Sequence, residues 1–364
     1  MRFLLRFSAL SAALVLVLPA GAAGARELVV GVGDDWVKWR NDTAGIVRIQ
    51  REAGFGTVKV AFPWRPGMWH PGRVERFYVE RIAKMTSLQQ RVVVAFGGAA
   101  EHAPRTAATR EQFCSYVRSA LSRLPAVRDV VIWNEVNSPA FWRPQRDAAA
   151  EYAALLARCW DVLHRMRADV NVISSTAPRH LPLRFIRDLG DAYARSGRKR
   201  PLVDSFGHNP YPRHAAEAPS VTHHDGYVGQ GDYPTLVRVL RESFAGTAQL
   251  VPGDGGVTIW YLETGFQTSA PFGQPLYYGR ENEKHALPPL APSGVDQAKQ
   301  LRGAIELAYC QPAVGALFNF QLADERRLGG WQSGLLWADW RPKPSYYEFR
   351  EVLEDVRRRT ISCK

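Results

Sequence analysis

Two glutamates stand where an apolar strand should run out. Glu135 follows "DVVIWN" at residues 129–134, and Glu263 closes "TIWYLE" at 258–263. Each has an aromatic residue two to three positions earlier, so each carboxylate is carried to the end of a buried strand. Desolvating a charge there costs free energy that nothing nearby in the sequence repays. Either glutamate alone could be a strand cap paired with an arginine at the rim. The recurrence of the setting points instead to a cavity with a carboxyl group on each side. One would protonate a leaving oxygen and the other attack a carbon, which is what cleavage of a glycosidic bond requires.

Such a pair needs a scaffold that opens its strand ends at one place. Apolar runs predict eight strands, at 27–34, 57–63, 91–97, 128–134, 171–176, 202–208, 257–263 and 314–321. Between them lie eight helical patterns, at 43–54, 74–89, 110–124, 147–168, 183–195, 234–244, 295–310 and 345–358. The clearest is 147–168, where Tyr152, Leu155, Leu156, Cys159, Leu163 and Met166 recur at steps of three and four. Strands apolar on both faces, each followed by a helix, imply a covered parallel sheet. Eight such units close most economically into an α/β fold of one domain, the (β/α)8 TIM barrel, whose catalytic face is the C-terminal end of the strands. Glu135 and Glu263 both fall there. Two long connections, 213–232 and 267–294, leave the same face.

Composition and short motifs narrow the alternatives. The first 25 residues pair Arg2 and Arg6 with an apolar run from Leu10 to Leu18 and end in small residues, the layout of a secretory signal peptide. A secreted catalytic domain over 26–364 is the expectation, with an uncleaved N-terminal anchor as the alternative; the apolar run falls short of the roughly 20 residues of a membrane span. The formal charge is +12 at pH 7, but the arginines are scattered apart from "RSGRKR" at 195–200 and "RRR" at 357–359. That reads as a solvated basic surface and not as a nucleic-acid site. "GVGDDW" at 31–36 has Trp36 where a dinucleotide fingerprint needs its third glycine, so no nucleotide cofactor is implied. Four cysteines, Cys114, Cys159, Cys310 and Cys363, suit two disulfides in an exported protein, with Cys310 and Cys363 a pair that could staple the C-terminus. "HHD" at 223–225 lacks a spaced fourth ligand and reads as solvated loop, with no metal expected. A monomer acting on carbohydrate, with no cofactor, is the resulting expectation.

Four motifs then carry a resemblance. "WNEVN" followed by "FW", "HNPYP" at 208–212, "YLETGF" at 261–266 and "GWQSGLLWADWRPKPSYYEF" at 330–349 resemble, in order, the clan A retaining glycoside hydrolases, which include families five and thirty-nine. The resemblance implies that Glu135 is the general acid/base and Glu263 the nucleophile. It further implies that Asn134 bonds the 2-hydroxyl of the sugar, that Tyr211 donates to Glu263, and that His208 tunes the hydrogen bonds of the site. Because side chains alternate along a strand, Asn134 and Glu135 can both face a cavity only if the strand breaks at 134–135. Sugars offer flat apolar faces, so aromatic platforms are expected among Trp36, Trp64, Trp69, Trp142, Trp331 and Trp337, with Trp142 foremost.

The chain also departs from that pattern. Lys59 occupies the apparent place of a strand-two arginine, and Arg65 just beyond could supply the missing guanidinium. Strand eight has no tryptophan, which leaves Phe320, Gln321 or Trp331 to take its place, and Val136 stands for the usual proline. Two other readings stay open, the first because the acceptor is chosen by loop shape and water access, the second because of Lys59 and the missing strand-eight tryptophan. One is a transglycosidase that remodels cell walls; the other is a carbohydrate-binding barrel that has lost catalysis.

Overall fold

A computed structural model of the chain describes residues 28–254, 256–269, 294–327 and 329–363. The expected signal peptide and most of the 267–294 connection lie outside these residues. Eight parallel strands close into a barrel: β1 (Val29–Gly33), β2 (Thr57–Pro63), β3 (Arg91–Gly97), β4 (Asp129–Ile132), β5 (Asn171–Ile173), β6 (Ser205–His208), β7 (Thr258–Thr264) and β8 (Val314–Phe320). The closure is made by β1 pairing with β8, Val29 opposite Ala316 through Gly33 opposite Phe320.

Around the barrel, among the described residues, lie nine helices: α1 (Trp36–Trp39), α2 (Thr43–Glu52), α3 (Arg73–Ser87), α4 (Ala107–Leu121), α5 (Ala148–Met166), α6 (Pro182–Arg195), α7 (Tyr233–Phe244), α8 (Gly294–Cys310) and α9 (Pro344–Arg358). Eight correspond to the sequence patterns. α1, a single turn, is too short to show a helical period.

The interior of the barrel is a plug of Val93, Val131, Ile173, Trp260, Leu262, Ala316 and Phe318. Alternate residues of the same strands face outward into the much larger layer between barrel and helices. Gly31 is required by this plug, because a β-carbon there would lie 2.5 Å from the Phe318 ring. Two disulfides tie the outer layer: Cys114–Cys159 joins α4 to α5, and Cys310–Cys363 ties the end of α8 to the C-terminal segment.

Three adjacent strands are among those shorter than their apolar runs. β4 stops at Ile132 instead of 134, β5 at Ile173 instead of 176, and β6 begins at Ser205 instead of 202. In β4 the cause is visible: Trp133 has φ of +63° and turns the chain out of the sheet.

Candidate active site

The turn after β4 is held by hydrogen bonds to the neighbouring β5 segment. The Tyr152 hydroxyl, reaching in from α5, donates to the Ile132 carbonyl at 2.6 Å and accepts from the Ser175 amide at 3.0 Å. The Ser175 hydroxyl in turn accepts from the Glu135 amide at 3.1 Å. Glu135 itself has φ of +40°, a conformation that few non-glycine residues adopt and that clusters at functional sites. The expected break is therefore present and starts one residue earlier, at Trp133. Trp133 is fully buried, and its indole donates to the Phe141 carbonyl at 2.7 Å, which fixes the loop that follows.

Glu263 reaches the same cavity by a different device. Trp260 and Leu262 both belong to the barrel plug, so strict alternation would turn residue 263 outward with Tyr261. The register between β7 and β8 shifts between Tyr261 and Thr264, and this irregularity re-aims the carboxylate. Lys59 Nζ from β2 donates to Glu263 Oε1, and the Tyr211 hydroxyl donates to Oε2 at 3.1 Å. Lys59 is buried, so its ammonium and the carboxylate neutralise one another within protein.

Glu135 receives a different partner. Asn209, wholly buried, donates from Nδ2 to Glu135 Oε1 at 2.7 Å. Burial raises the Glu135 carboxyl, the charge of Glu263 raises it further, and the bond from Asn209 and the charge of Lys59 offset part of this; the result is a pKa of about 7. Burial and then the same Glu263 charge hold the Tyr211 phenol well above its usual value, so it remains a donor. The pair thus combines a carboxyl poised to hold a proton near neutrality with one held by a cation and a phenol.

Both carboxylates line one cavity of about 600 Å³ at the C-terminal ends of the strands. Asn134, Tyr211, Phe320 and Trp331 line it too. Trp331 lies against Tyr211 with ring centroids 4.9 Å apart, and Phe320 meets Trp331 edge-on at 5.4 Å. Phe141 and Tyr227 complete the aromatic lining.

Several expected contributors are elsewhere, and each has a physical reason. His208 is a core residue: its ring nitrogens are taken by the Thr176 hydroxyl and the Val228 carbonyl, both at 2.9 Å, and burial lowers its pKa to about 4. Trp142 has no exposed surface and donates to Glu151 at 3.1 Å, so it is a wall of the outer core and not a sugar platform. Trp64 is buried and donates to the Met68 carbonyl at 2.9 Å. Trp36 packs on Trp340, with Arg40 over both rings. Trp69 is exposed but does not line the cavity, and Trp337 lies under Lys343 Nζ. Gln321 bonds Glu325 at 3.0 Å and leaves the lining to Phe320. Arg65 is exposed and has no contact with Glu263, because Lys59 already fills that place.

The loop histidine read as solvated is also different. The His223 side chain is largely enclosed, with Nδ1 2.7 Å from Asp232 and Nε2 3.3 Å from Glu217. Among the described residues no group of side chains could hold a metal ion.

Two contributors went unread. Asn209 sits inside the quoted "HNPYP", but nothing in the sequence says that its amide reaches across to strand four. Ser175 lies beyond β5, where the apolar run gave no hint of a polar role.

Neither a family model nor a curated protein matches the chain. Solved structures do. A family 39 glycoside hydrolase from the gut symbiont Bacteroides cellulosilyticus superposes with a TM-score of 0.64 at 18% identity, over 90% of this chain and 64% of that one. A GH5_18 protein from Streptomyces cattleya, solved with GlcNAc, gives 0.64 at 15% identity over 93% of this chain and 83% of that one. A fungal β-1,4-galactanase gives 0.61 at 13% identity over 90% and 100%. The barrel is shared with these glycoside hydrolases. At such identities the likeness concerns the fold, and this chain spans less than two thirds of the family 39 protein.

Proposed function

We propose that this protein is a secreted retaining glycoside hydrolase that cleaves β-glycosidic bonds by double displacement through Glu135 and Glu263. The observation that carries the reading is the pairing of two carboxyl groups in one cavity with opposite surroundings. The Glu263 carboxylate attacks the anomeric carbon while Glu135 gives its proton to the departing oxygen, leaving a glycosyl ester on Glu263 and a carboxylate on Glu135. Esterification removes the charge of Glu263, which was one cause of the raised Glu135 pKa. Glu135 is then a stronger acid and no longer holds its proton near neutrality, as a base must. It takes a proton from water as the water attacks the ester, and both groups return to their starting states. Asn134 would bond the 2-hydroxyl, and Trp331, Phe320 and Tyr211 would bear on the sugar face. The two disulfides and the leader-like N-terminus support export.

Lys59 was one of two grounds, with the missing strand-eight tryptophan, for reading the barrel as a catalytically lost binding protein, and its contact speaks against that ground. Lys59 reaches the nucleophile's carboxylate, the contact expected of the arginine it replaces.

Trapping tests the assignment. A panel of 2-deoxy-2-fluoro β-glycosides with activated leaving groups should add one sugar per chain, and peptide mapping should find it on Glu263. Glu135→Gln and Glu263→Gln should each lower turnover of an aryl β-glycoside with a poor leaving group by at least about 10³-fold. Azide should restore rate to Glu135→Ala with an activated leaving group, giving a β-glycosyl azide. An adduct at another residue, or full activity in either variant, overturns the reading.

A further inference from the structure

One wall of the cavity carries two arginines and two histidines. Arg179 and His180 follow β5, and Arg213 and His214 follow β6; all four line the cavity that holds Glu135 and Glu263. The acidic residues of the lining lie elsewhere: Asp35 after β1, Glu135 after β4 and Glu263 on β7. Asp35 is bonded by Lys38 at 2.7 Å, and Glu263 by Lys59.

Arg179 is exposed and Arg213 partly exposed, and both are held at the rim of the cavity by packing contacts. The Tyr227 ring carries both, with the guanidinium carbon of Arg213 4.9 Å and that of Arg179 5.9 Å from its centroid. Arg179 also donates to the Arg213 carbonyl at 3.2 Å, and its own carbonyl accepts from Asn137, two residues past Glu135, at 2.7 Å. Among the described residues Arg179 has no carboxylate partner. Arg213 pairs with Asp225 at 2.5 Å, in a pair whose side chains are 38% and 60% exposed and which therefore holds weakly. The other acids of the segment 209–232, Glu217 and Asp232, both face His223, and Glu217 also lies 3.8 Å from His214.

A guanidinium fork matches a planar carboxylate, and two such forks beside a sugar-sized cavity form an anion-selective wall. We propose that Arg179 and Arg213 recognise a carboxylate on the glycan, so that the substrate is a polysaccharide containing uronic acid residues. The proposal deepens the hydrolase reading and rests on it for the statement that a glycan occupies the cavity.

The test separates the two by using binding for one and turnover for the other. In the full chain carrying Glu135→Gln, calorimetry would compare oligogalacturonate, oligoglucuronate and glucuronate-bearing xylo-oligosaccharide, each with its carboxyl-reduced counterpart, at about 0.15 M salt, where long-range attraction is screened. At least one acidic oligosaccharide should bind about tenfold or more tighter than its reduced form. Adding Arg179→Gln and Arg213→Gln should erase the preference. Adding Arg350→Gln and Arg357→Gln on α9, an equal loss of charge, should leave it. Equal affinity within every pair, absence of binding to all of them, or the same loss in the α9 control overturns the proposal. Tighter binding of a sulfated oligosaccharide than of any carboxylated one overturns it in favour of sulfate esters. Hydrolysis of neutral aryl β-glycosides by the unaltered chain is read separately and decides the hydrolase assignment alone.

Discussion

A carboxyl group that must give up a proton and later take one back needs a pKa near the working pH and a means of changing it. Glu135 has both: burial sets its raised value, and the neighbouring Glu263 charge adds a part that disappears in the covalent intermediate. The rate of the first half-reaction should therefore fall as pH rises through about 7, where Glu135 loses its proton. Glu263→Gln should move the Glu135 titration to lower pH, read from the carboxyl ¹³C shift; an unmoved titration would mean that burial alone sets it. The raised pKa also bears on stability. Folded Glu135 retains its proton between about 4.5 and 7, where the unfolded chain has released it, so stability falls as pH rises through that window. Glu135→Gln should accordingly melt a few degrees higher than the parent at pH 8, with little difference at pH 4. An equal gain at both values would assign the effect to packing.

The segment from Asn209 to Asp232 carries Tyr211, Arg213 and Tyr227 to the cavity and Asn209 to Glu135, with little regular structure of its own. Its order comes from a buried ionic clasp. Burial pulls the His223 imidazole down, but its bonds to Asp232 and then Glu217 outweigh that, and its pKa rises. A histidine raised in this way lends stability that is complete below its unfolded value, near 6.5, and is lost as pH rises through the folded value. Hydrogen exchange of residues 213–232, corrected for intrinsic rates, should quicken between pH 6 and pH 9 relative to the barrel strands. His223→Gln should quicken it already at pH 6 and raise KM more than it lowers kcat. Exchange that stays uniform across this range would show that the clasp does not hold the loop.

At the scale of the molecule, the barrel is closed by its own sheet and the helices are tied by two covalent links. These close loops of 45 and 53 residues, for which the chain-entropy model gives about 4 kcal/mol each. Cys114→Ser with Cys159→Ser, and Cys310→Ser with Cys363→Ser, should each lower Tm by several degrees in a two-state melt. The second pair should disturb α8 and the C-terminal segment and leave kcat near that of the parent, because both lie away from the cavity. An unchanged Tm in either double variant would place its stabilisation in the packing around the sulfurs.

The number of strands, their parallel order and the placing of Glu135 and Glu263 at strand ends were legible in the chain. These follow from local alternation of apolar runs and helical periods, which each segment carries by itself. Tyr211, Lys59 and Trp331 were named for a different reason, the resemblance to clan A glycoside hydrolases: Tyr211 follows β6, Lys59 lies within β2 and Trp331 lies in the loop after β8. The errors share an opposite cause. Trp142 and His208 are polar-tipped residues close to strand ends, and whether such a residue faces cavity or core depends on turns that no local pattern encodes. The left-handed turn at Trp133 and the irregularity at Tyr261–Thr264 decide which side chains face the cavity. Asn209 on Glu135, Lys59 on Glu263 and two arginines on Tyr227 join segments 74, 204, 48 and 14 residues apart. Sequence determined the barrel and its two carboxylates because those are properties of single segments. The resemblance already implied which of the two is the acid/base, but the physical cause of the raised Glu135 pKa exists only in the tertiary structure, because it depends on burial and on charges brought together when the barrel closes.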